Sequence, residues 1–181
     1  MNTAQVKNIC GQAAVILAAV FIIFGASGRA WANGGDDRFF WGRVVSVQDG
    51  DTLTLVRNNL ELDIVVVRLY GIDAPESNQP FGKQSGAALR RLINRKIVQV
   101  EIMQKADRYG RVGGIGKGNG NDVSLDLLHQ GLAWVYPQYC RRDKPCRRYW
   151  AIARKARKGK VGLWNTSKSI APWKWRTGDQ P

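Results

Sequence analysis

Residues 43–70 read RVVSVQDGDTLTLVRNNLELDIVVVRLY and contain the strongest strand pattern in the chain. The apolar and polar residues of this stretch alternate and many of its side chains are β-branched, which is typical of strands. Two turn signals, Asp49-Gly50 and Asn58-Asn59, divide the stretch. It therefore predicts an antiparallel meander with strands at Arg43–Gln48, Thr52–Val56 and Leu60–Tyr70.

The pattern after the meander changes to helices and two further strands. Apolar residues recur at helical spacing in Gly82–Arg95 and Asn121–Gln130. Pro145–Lys158 is predicted to be a strongly basic helix, since Pro145 suits a first turn and Gly159 follows its end. Ile97–Ile102 and Arg111–Lys117 have the composition of strands, although three glycines weaken the second. This order predicts an α+β fold, mainly β, in which a five-stranded Greek-key barrel of the OB type carries three helices. Residues 166–181 contain tryptophan and are predicted to form an irregular tail.

The composition is that of a folded, strongly basic protein. The chain of 181 residues is 44% hydrophobic, which argues against intrinsic disorder, and its formal net charge is +14. A basic domain attracts polyanions, so nucleic acid, an anionic membrane and an acidic polysaccharide are the partner classes to consider. Charge alone leaves open a soluble basic protein with no such partner.

The N-terminal residues 1–32 differ from the rest of the chain. An apolar run from Ala13 to Phe24 is followed by Ala30-Trp31-Ala32, a cleavage pattern of the A-x-A type. We therefore predict a secretory signal peptide cut after Ala32, a linker at 33–41, and a secreted or periplasmic protein. The apolar run is short for a membrane span, and an uncleaved anchor is the alternative.

Export bears on the two cysteines that follow the signal peptide, Cys140 and Cys146. An even pair in an oxidising compartment predicts a disulfide, with two free thiols as the alternative. A zinc site is disfavoured, because two cysteines and the single, distant His129 do not supply four ligands.

The single histidine also limits the chemistry. A pair of catalytic histidines is impossible, and the chain has no nucleophile-elbow motif of a serine hydrolase. Acid–base catalysis must therefore be carried by carboxylates, tyrosines, arginines or a metal ion.

Two acidic clusters are candidates for that chemistry. Asp49-Gly50-Asp51-Thr52 lies at the first turn of the meander, and Asp73-Ala74-Pro75-Glu76 follows its third strand. Since the third strand returns toward the start of the second, Asp51, Asp73 and Glu76 are expected to lie close together. Carboxylates gathered in this way need a positive partner, and their oxygens favour a hard divalent cation such as Ca²⁺. The alternative for Asp-Gly-Asp is an ordinary turn.

Two arginines accompany these carboxylates. Arg68 lies in an apolar strand five residues before Asp73, and Arg111 ends the run Asp107-Arg108-Tyr109-Gly110-Arg111. A guanidinium group can hold a phosphate through two hydrogen bonds. Each arginine could instead form a structural ion pair.

At this point the sequence resembles the thermonuclease, or staphylococcal nuclease, family. The matching blocks are Asp49–Thr52, Arg68–Glu76 and Asp107–Arg111, in the order of the family. Softer similarities, at 123–136 and at Gly162-Leu163-Trp164, extend the resemblance to a domain at 42–165. The second hairpin, at 56–67, is longer than is usual for the family. The glycines after Arg111 replace apolar residues and are expected to soften its strand.

The resemblance implies a calcium site. Asp51 and Asp73 match the carboxylates that bind Ca²⁺, and Ala74 matches the residue whose backbone carbonyl binds it. Asp49 resembles an acid that supports these ligands without touching the metal.

The resemblance also implies catalytic roles. Glu76 matches the general base that activates the attacking water, and Arg68 and Arg111 match the phosphate-binding arginines. Tyr109 and Tyr139 are candidate substrate contacts. The implied activity is a calcium-dependent endonuclease that hydrolyses DNA, RNA or both with low sequence specificity, expected to be a monomer without stable membrane association after signal cleavage.

Two other functions compete with this one. A non-catalytic nucleic-acid-binding OB module is the main alternative, but the carboxylate and arginine set that such a module could lose is complete here. A binder of membrane surfaces or anionic glycans would give no reason for the carboxylates to converge. The basic run that follows Cys140 fits nucleic-acid binding, although it could also be a solvated helix face.

Overall fold

The computed structural model describes residues 37–58, 62–141 and 143–178. The predicted signal peptide with its cleavage site after Ala32 lies outside the described residues, as do residues 33–36 of the predicted linker. No helix in the described ranges combines the length and the apolar character that a membrane crossing requires.

The strands form the predicted five-stranded barrel. In chain order the described strands are β1 (Phe39–Val47), β2 (Thr52–Asn58), β3 (Leu62–Leu69), β4 (Ile72–Asp73), β5 (Ile97–Gln104), β6 (Val112–Gly118), β7 (Asn121–Asp122) and β8 (Trp134–Val135). The barrel runs in the order β3-β2-β1-β5-β6 through antiparallel pairs, and a parallel pairing of β3 with β6 closes it. The fold prediction is thus confirmed. β1 begins at Phe39, inside the predicted linker, because Phe39 and Phe40 pair with β5.

The glycines of β6 allow the barrel to close. Gly113 and Gly114 pair with Arg68 and Leu69 of β3, while the other edge of β6 pairs with β5. A Cβ atom at Gly114 would lie 2.6 Å from the Val100 side chain, which is too close for any other residue. From the sequence, these glycines are expected to soften the strand. In the structure they have a packing role, because they let β6 fit between β3 and β5.

Within the described part of the chain, four helices cover the barrel. They are α1 (Gly82–Ile93), α2 (Val123–His129), α3 (Lys144–Lys158) and α4 (Pro172–Trp175), with a 3₁₀ turn at Gly162–Asn165. Leucines of the barrel and of the helices, such as Leu53, Leu69, Leu89 and Leu127, are completely or almost completely buried in one core. The predicted irregular tail contains α4, because Pro172 begins a helical turn and is itself buried.

Polar contacts fix the start of α3 beside the barrel. Asp143 caps this helix by accepting a hydrogen bond from the Cys146 amide at 3.1 Å, and it accepts another from the Tyr70 hydroxyl at 2.6 Å. Burial, together with the neighbouring Asp143 carboxylate, raises the pKa of Tyr70 to about 12. Cys140 and Cys146 form a disulfide across the same corner. The loop that precedes α3 is therefore held firmly against the barrel.

Candidate active site

A cleft of about 820 Å³ opens where β2 begins and β3 ends. Its walls include all but one of the predicted metal, catalytic and substrate residues, namely Asp49, Asp51, Arg68, Ala74, Glu76, Tyr109, Arg111 and Tyr139. The exception, Asp73, has no exposed surface and lies behind the wall. The fold thus brings the separate sequence blocks to one place.

The turn between β1 and β2 presents Asp51 to the cleft. The Asp49 carboxylate accepts hydrogen bonds from the backbone amides of Asp51 at 2.9 Å and Thr52 at 2.7 Å, which orders the turn. A Cβ atom at Gly50 would lie 1.9 Å from the Ser85 hydroxyl of α1, so only glycine lets the turn pack there. Asp49 and Gly50 therefore stabilise the turn itself, and the side chain of Asp51 faces the cleft.

Arg68 lies between two buried carboxylates. Strand pairing places it opposite Thr52, next to Asp51. Its guanidinium group forms an ion pair with Asp51 and a second with Asp73, the latter at 2.5 Å. The other Asp51 oxygen accepts a hydrogen bond from the Ala74 amide at 2.5 Å. Asp51 is 3% exposed and Asp73 is 0% exposed, and burial of such charges requires this pairing.

Glu76 projects from a short turn whose geometry does not depend on its own carboxylate. The Glu76 amide donates a hydrogen bond to the Gln79 side chain at 3.1 Å, and the Gln79 amide donates to the Glu76 carbonyl at 2.8 Å. The Glu76 side chain is 35% exposed, and its carboxylate therefore lies where water can reach it.

Arg176 is a site residue that the sequence does not predict. Its guanidinium group contacts both oxygens of Asp73, at 3.2 and 2.8 Å, and one oxygen of Glu76, at 2.6 Å. Desolvation lowers the pKa of Arg176, but the hydrogen bonds to Asp73 and Glu76 outweigh this effect and raise the pKa above its usual value. Arg176 lies more than 100 residues from Asp73 along the chain, so no local motif signals the contact.

The donor atoms of the site suit a hard divalent cation. The Asp51 and Asp73 carboxylates, with the backbone carbonyl of Ala74, offer oxygen only, which is the ligand type that Ca²⁺ prefers. Among the described residues, however, the oxygens of Asp51, Asp73 and Glu76 do not all lie within 4.8 Å of one another. Arg68 and Arg176 lie between them instead.

Arg111 also lines the cleft, but its guanidinium group is paired with Asp107. Its guanidinium group donates two hydrogen bonds to Asp107, at 2.9 and 2.8 Å, and lies 5.2 Å from the centre of the Tyr109 ring. Desolvation raises the pKa of Asp107, but the hydrogen bonds from Arg111 and from the Tyr109 amide outweigh this and lower it. Arg111 therefore shares the cleft with Arg68 but does not contact the carboxylates that Arg68 pairs with.

Aromatic side chains form another part of the cleft. Tyr136 and Tyr139 line it together with their rings edge to face, 5.1 Å apart, and Tyr109 is 67% exposed at its rim. Tyr136 was not among the predicted residues, although it ends the block Gly131–Tyr136 that resembles the family. Tyr109 and Tyr139 are exposed, and the guanidinium groups of Arg108 and Arg111 lie over the Tyr109 ring, 4.9 and 5.2 Å from its centre.

A basic helix face adds positive charge to this domain. The exposed basic residues of α3 and its C-terminal end are Lys144, Arg147, Arg148, Arg154, Lys155, Arg157, Lys158 and Lys160. The single histidine, His129, is exposed at the end of α2 and outside the cleft lining.

Comparison with known proteins gives consistent matches. A family model described as "Staphylococcal nuclease homologue" matches residues 66–166. A protein named "Micrococcal nuclease" from Shigella flexneri is 33% identical over 180 residues, which cover 94% of this chain and 95% of that protein. An "Uncharacterized endonuclease" from Escherichia coli is 38% identical over 136 residues, or 75% and 84% of the two chains. A similar protein from Haemophilus influenzae, also named "Uncharacterized endonuclease", is 37% identical over 135 residues, or 74% and 71%.

Proposed function

Because this chain belongs to the staphylococcal nuclease family, we propose that it is an exported, calcium-dependent endonuclease that hydrolyses DNA, RNA or both. The observation that carries the proposal is the grouping of Asp51, Arg68, Asp73 and Glu76 at one end of the barrel, beside an open cleft. A non-catalytic binding module would not need these carboxylates to be gathered next to an arginine.

The metal would be held by Asp51 and Asp73, with the backbone carbonyl of Ala74. When bound, Ca²⁺ supplies electrostatic stabilisation of the negative charge that grows on the phosphate as it is attacked. The remaining steps belong to the side chains of the protein.

Glu76 is the proposed general base. Its carboxylate is accessible to water, and its position is set by the backbone hydrogen bonds of its turn. It takes a proton from the attacking water as the new oxygen–phosphorus bond forms and the bond from phosphorus to the leaving sugar oxygen breaks, and solvent water returns a proton to that oxygen. Arg68 and Arg111 are proposed to hold the non-bridging phosphate oxygens, and for Arg111 this requires exchanging Asp107 for phosphate.

The basic face of α3 and the cleft tyrosines support nucleic acid as the substrate. Contacts from lysine and arginine to phosphates do not depend on base sequence, which favours low specificity. Tyr109 and Tyr139 have exposed rings on which unpaired bases could stack. We propose that the enzyme acts as a monomer and that it has no stable membrane association.

The test is digestion of single- and double-stranded DNA and of RNA by the purified protein in Ca²⁺. We expect internal cleavage of at least one substrate, with fragments that show little sequence preference. A protein that binds these substrates and cleaves none would be the non-catalytic module. For the export proposal, protein recovered outside the cytoplasm should begin at Asn33, and recovery only of a form beginning at Met1 would contradict it.

A further inference from the structure

The C-terminal residues 170–178, here called the closing segment, are docked against the active site. The Gln79 side chain, which also orders the Glu76 turn, donates a hydrogen bond to the Ile170 carbonyl at 2.7 Å. The Trp175 indole donates another to Asn78 at 3.2 Å. Ala171 and Pro172 are buried. The segment is thus attached to the same loop that carries the proposed general base.

Trp173 of the closing segment covers an aromatic side chain of the cleft. Its ring stacks on Tyr136 with the centroids 5.2 Å apart and an angle of 11° between the planes. It also meets Trp134, the residue paired with Asp73 between β4 and β8, edge to face at 5.8 Å. A planar group from the protein itself therefore occupies a surface on which a base could stack.

Arg176 of the same segment occupies the carboxylates. Asp73 has two oxygens, and both accept hydrogen bonds from Arg176, while one also accepts from Arg68. A cation that bound either carboxylate oxygen of Asp73 would compete with the Arg176 guanidinium for that oxygen. Simultaneous occupancy is disfavoured because it would bring a divalent charge against the Arg176 guanidinium beside the buried Asp73 carboxylate.

We propose that the closing segment is self-inhibitory, with Arg176 competing against Ca²⁺ for Asp73 and Trp173 holding the segment in place. This rests on the proposed function, since it takes Asp73 to be a metal ligand. The protein then has a closed form, in which Arg176 neutralises Asp73 and Glu76, and an open form that binds the metal. A base that stacked on Tyr136 would reinforce opening, because Trp173 covers that ring in the closed form.

The size of the effect follows from the population of the open form. If the segment is closed about nine-tenths of the time, the apparent Kd for Ca²⁺ is about tenfold higher than that of the open form. Removing the competition should therefore tighten Ca²⁺ binding by about the same factor. By linkage, Ca²⁺ must weaken docking of the segment equally.

The experiment is calorimetric titration with Ca²⁺ alone, without substrate, of the wild type and of Arg176→Gln, Trp173→Ala and Arg108→Gln. Arg108 lines the same cleft but makes its ring contact with Tyr109, so Arg108→Gln is a control for loss of one positive charge. We expect about tenfold tighter binding for Arg176→Gln, a smaller gain for Trp173→Ala, and a change within about twofold for the control.

Equal or weaker Ca²⁺ binding by Arg176→Gln would overturn the proposal, as would an equal gain in the control. If the wild type binds Ca²⁺ and cleaves nucleic acid but Arg176→Gln gains nothing, only the self-inhibition fails. If neither protein binds Ca²⁺, both the proposed calcium site and the proposed self-inhibition are wrong. Thermal unfolding in EGTA identifies a variant that is not folded. If Arg176→Gln does not fold, Trp173→Ala still tests the proposal, because it leaves the charges at the carboxylates unchanged.

The linked measurement is trypsin cleavage after Lys174 and Arg176. Ca²⁺ should accelerate cleavage at these positions in the wild type, because the open form exposes the segment. Cleavage that is unchanged or slowed by Ca²⁺ would contradict an opening coupled to the metal.

Discussion

Glu76→Gln should lower the rate of nucleic-acid hydrolysis by about 10²–10⁴-fold, the usual contribution of a positioned general base. Glutamine has the same shape but cannot take a proton from water at neutral pH. The fold should be nearly unaffected, since the turn is held by the backbone of Glu76 and the side chain of Gln79. The measurement is the initial rate in saturating Ca²⁺, together with the thermal unfolding midpoint.

Glu101→Gln is the matched control for this substitution. Glu101 pairs with Lys117 at 3.0 Å on β5 and β6 and is not part of the cleft lining. The Glu101→Gln variant loses this one partly exposed ion pair, which contributes about 0–1 kcal/mol to the free energy of unfolding. Near-normal turnover by Glu76→Gln, at the level of this control, would eliminate the base assignment.

Arg68→Met should impair both stability and activity. Its removal leaves the buried Asp51 without its cation and the buried Asp73 with Arg176 alone. Breaking a buried pair in this way costs about 3–5 kcal/mol, and the lower end applies here because the Arg68 side chain is 21% exposed. Loss of a phosphate contact should reduce hydrolysis by about 10²–10³-fold.

Calcium gives this prediction a further readout. In EGTA the variant should unfold at a clearly lower denaturant concentration than the wild type, and Ca²⁺ should restore part of the difference by neutralising the two carboxylates. Arg57→Met removes the partner of Asp63 from an exposed ion pair and should change stability far less. An Arg68→Met protein as stable as the wild type in EGTA would show that the two carboxylates do not depend on Arg68.

The barrel and most of its site could be predicted from local patterns. Alternating residues and the Asp49-Gly50 turn are enough to return the end of β3 to the start of β2, and the pairing of Thr52 with Arg68 is the result. That single register places Arg68 beside Asp51. The i,i+4 spacing of Asp107 and Arg111 also signals their ion pair, although it does not say which partner Arg111 takes when phosphate is present.

The parts that could not be predicted depend on contacts between distant residues. Gly113 and Gly114 weaken a strand when considered alone, and their value appears only when β6 must fit between β3 and β5. Arg176 and Trp173 lie in a tail without strong periodicity, where nothing local indicates contact with Asp73 or Tyr136. The closing segment was therefore absent from the predicted site, although it contacts two of its three main carboxylates.

Asp51, Asp73 and Glu76 are proposed to form a metal-dependent hydrolytic site. The most direct measurement is the initial rate of hydrolysis of DNA and RNA by the wild-type protein in Ca²⁺, after excess EGTA, and after Ca²⁺ is restored. We expect cleavage in Ca²⁺, its loss in EGTA, and its full recovery when Ca²⁺ is restored. Cleavage that continues undiminished in EGTA would contradict the proposed metal dependence.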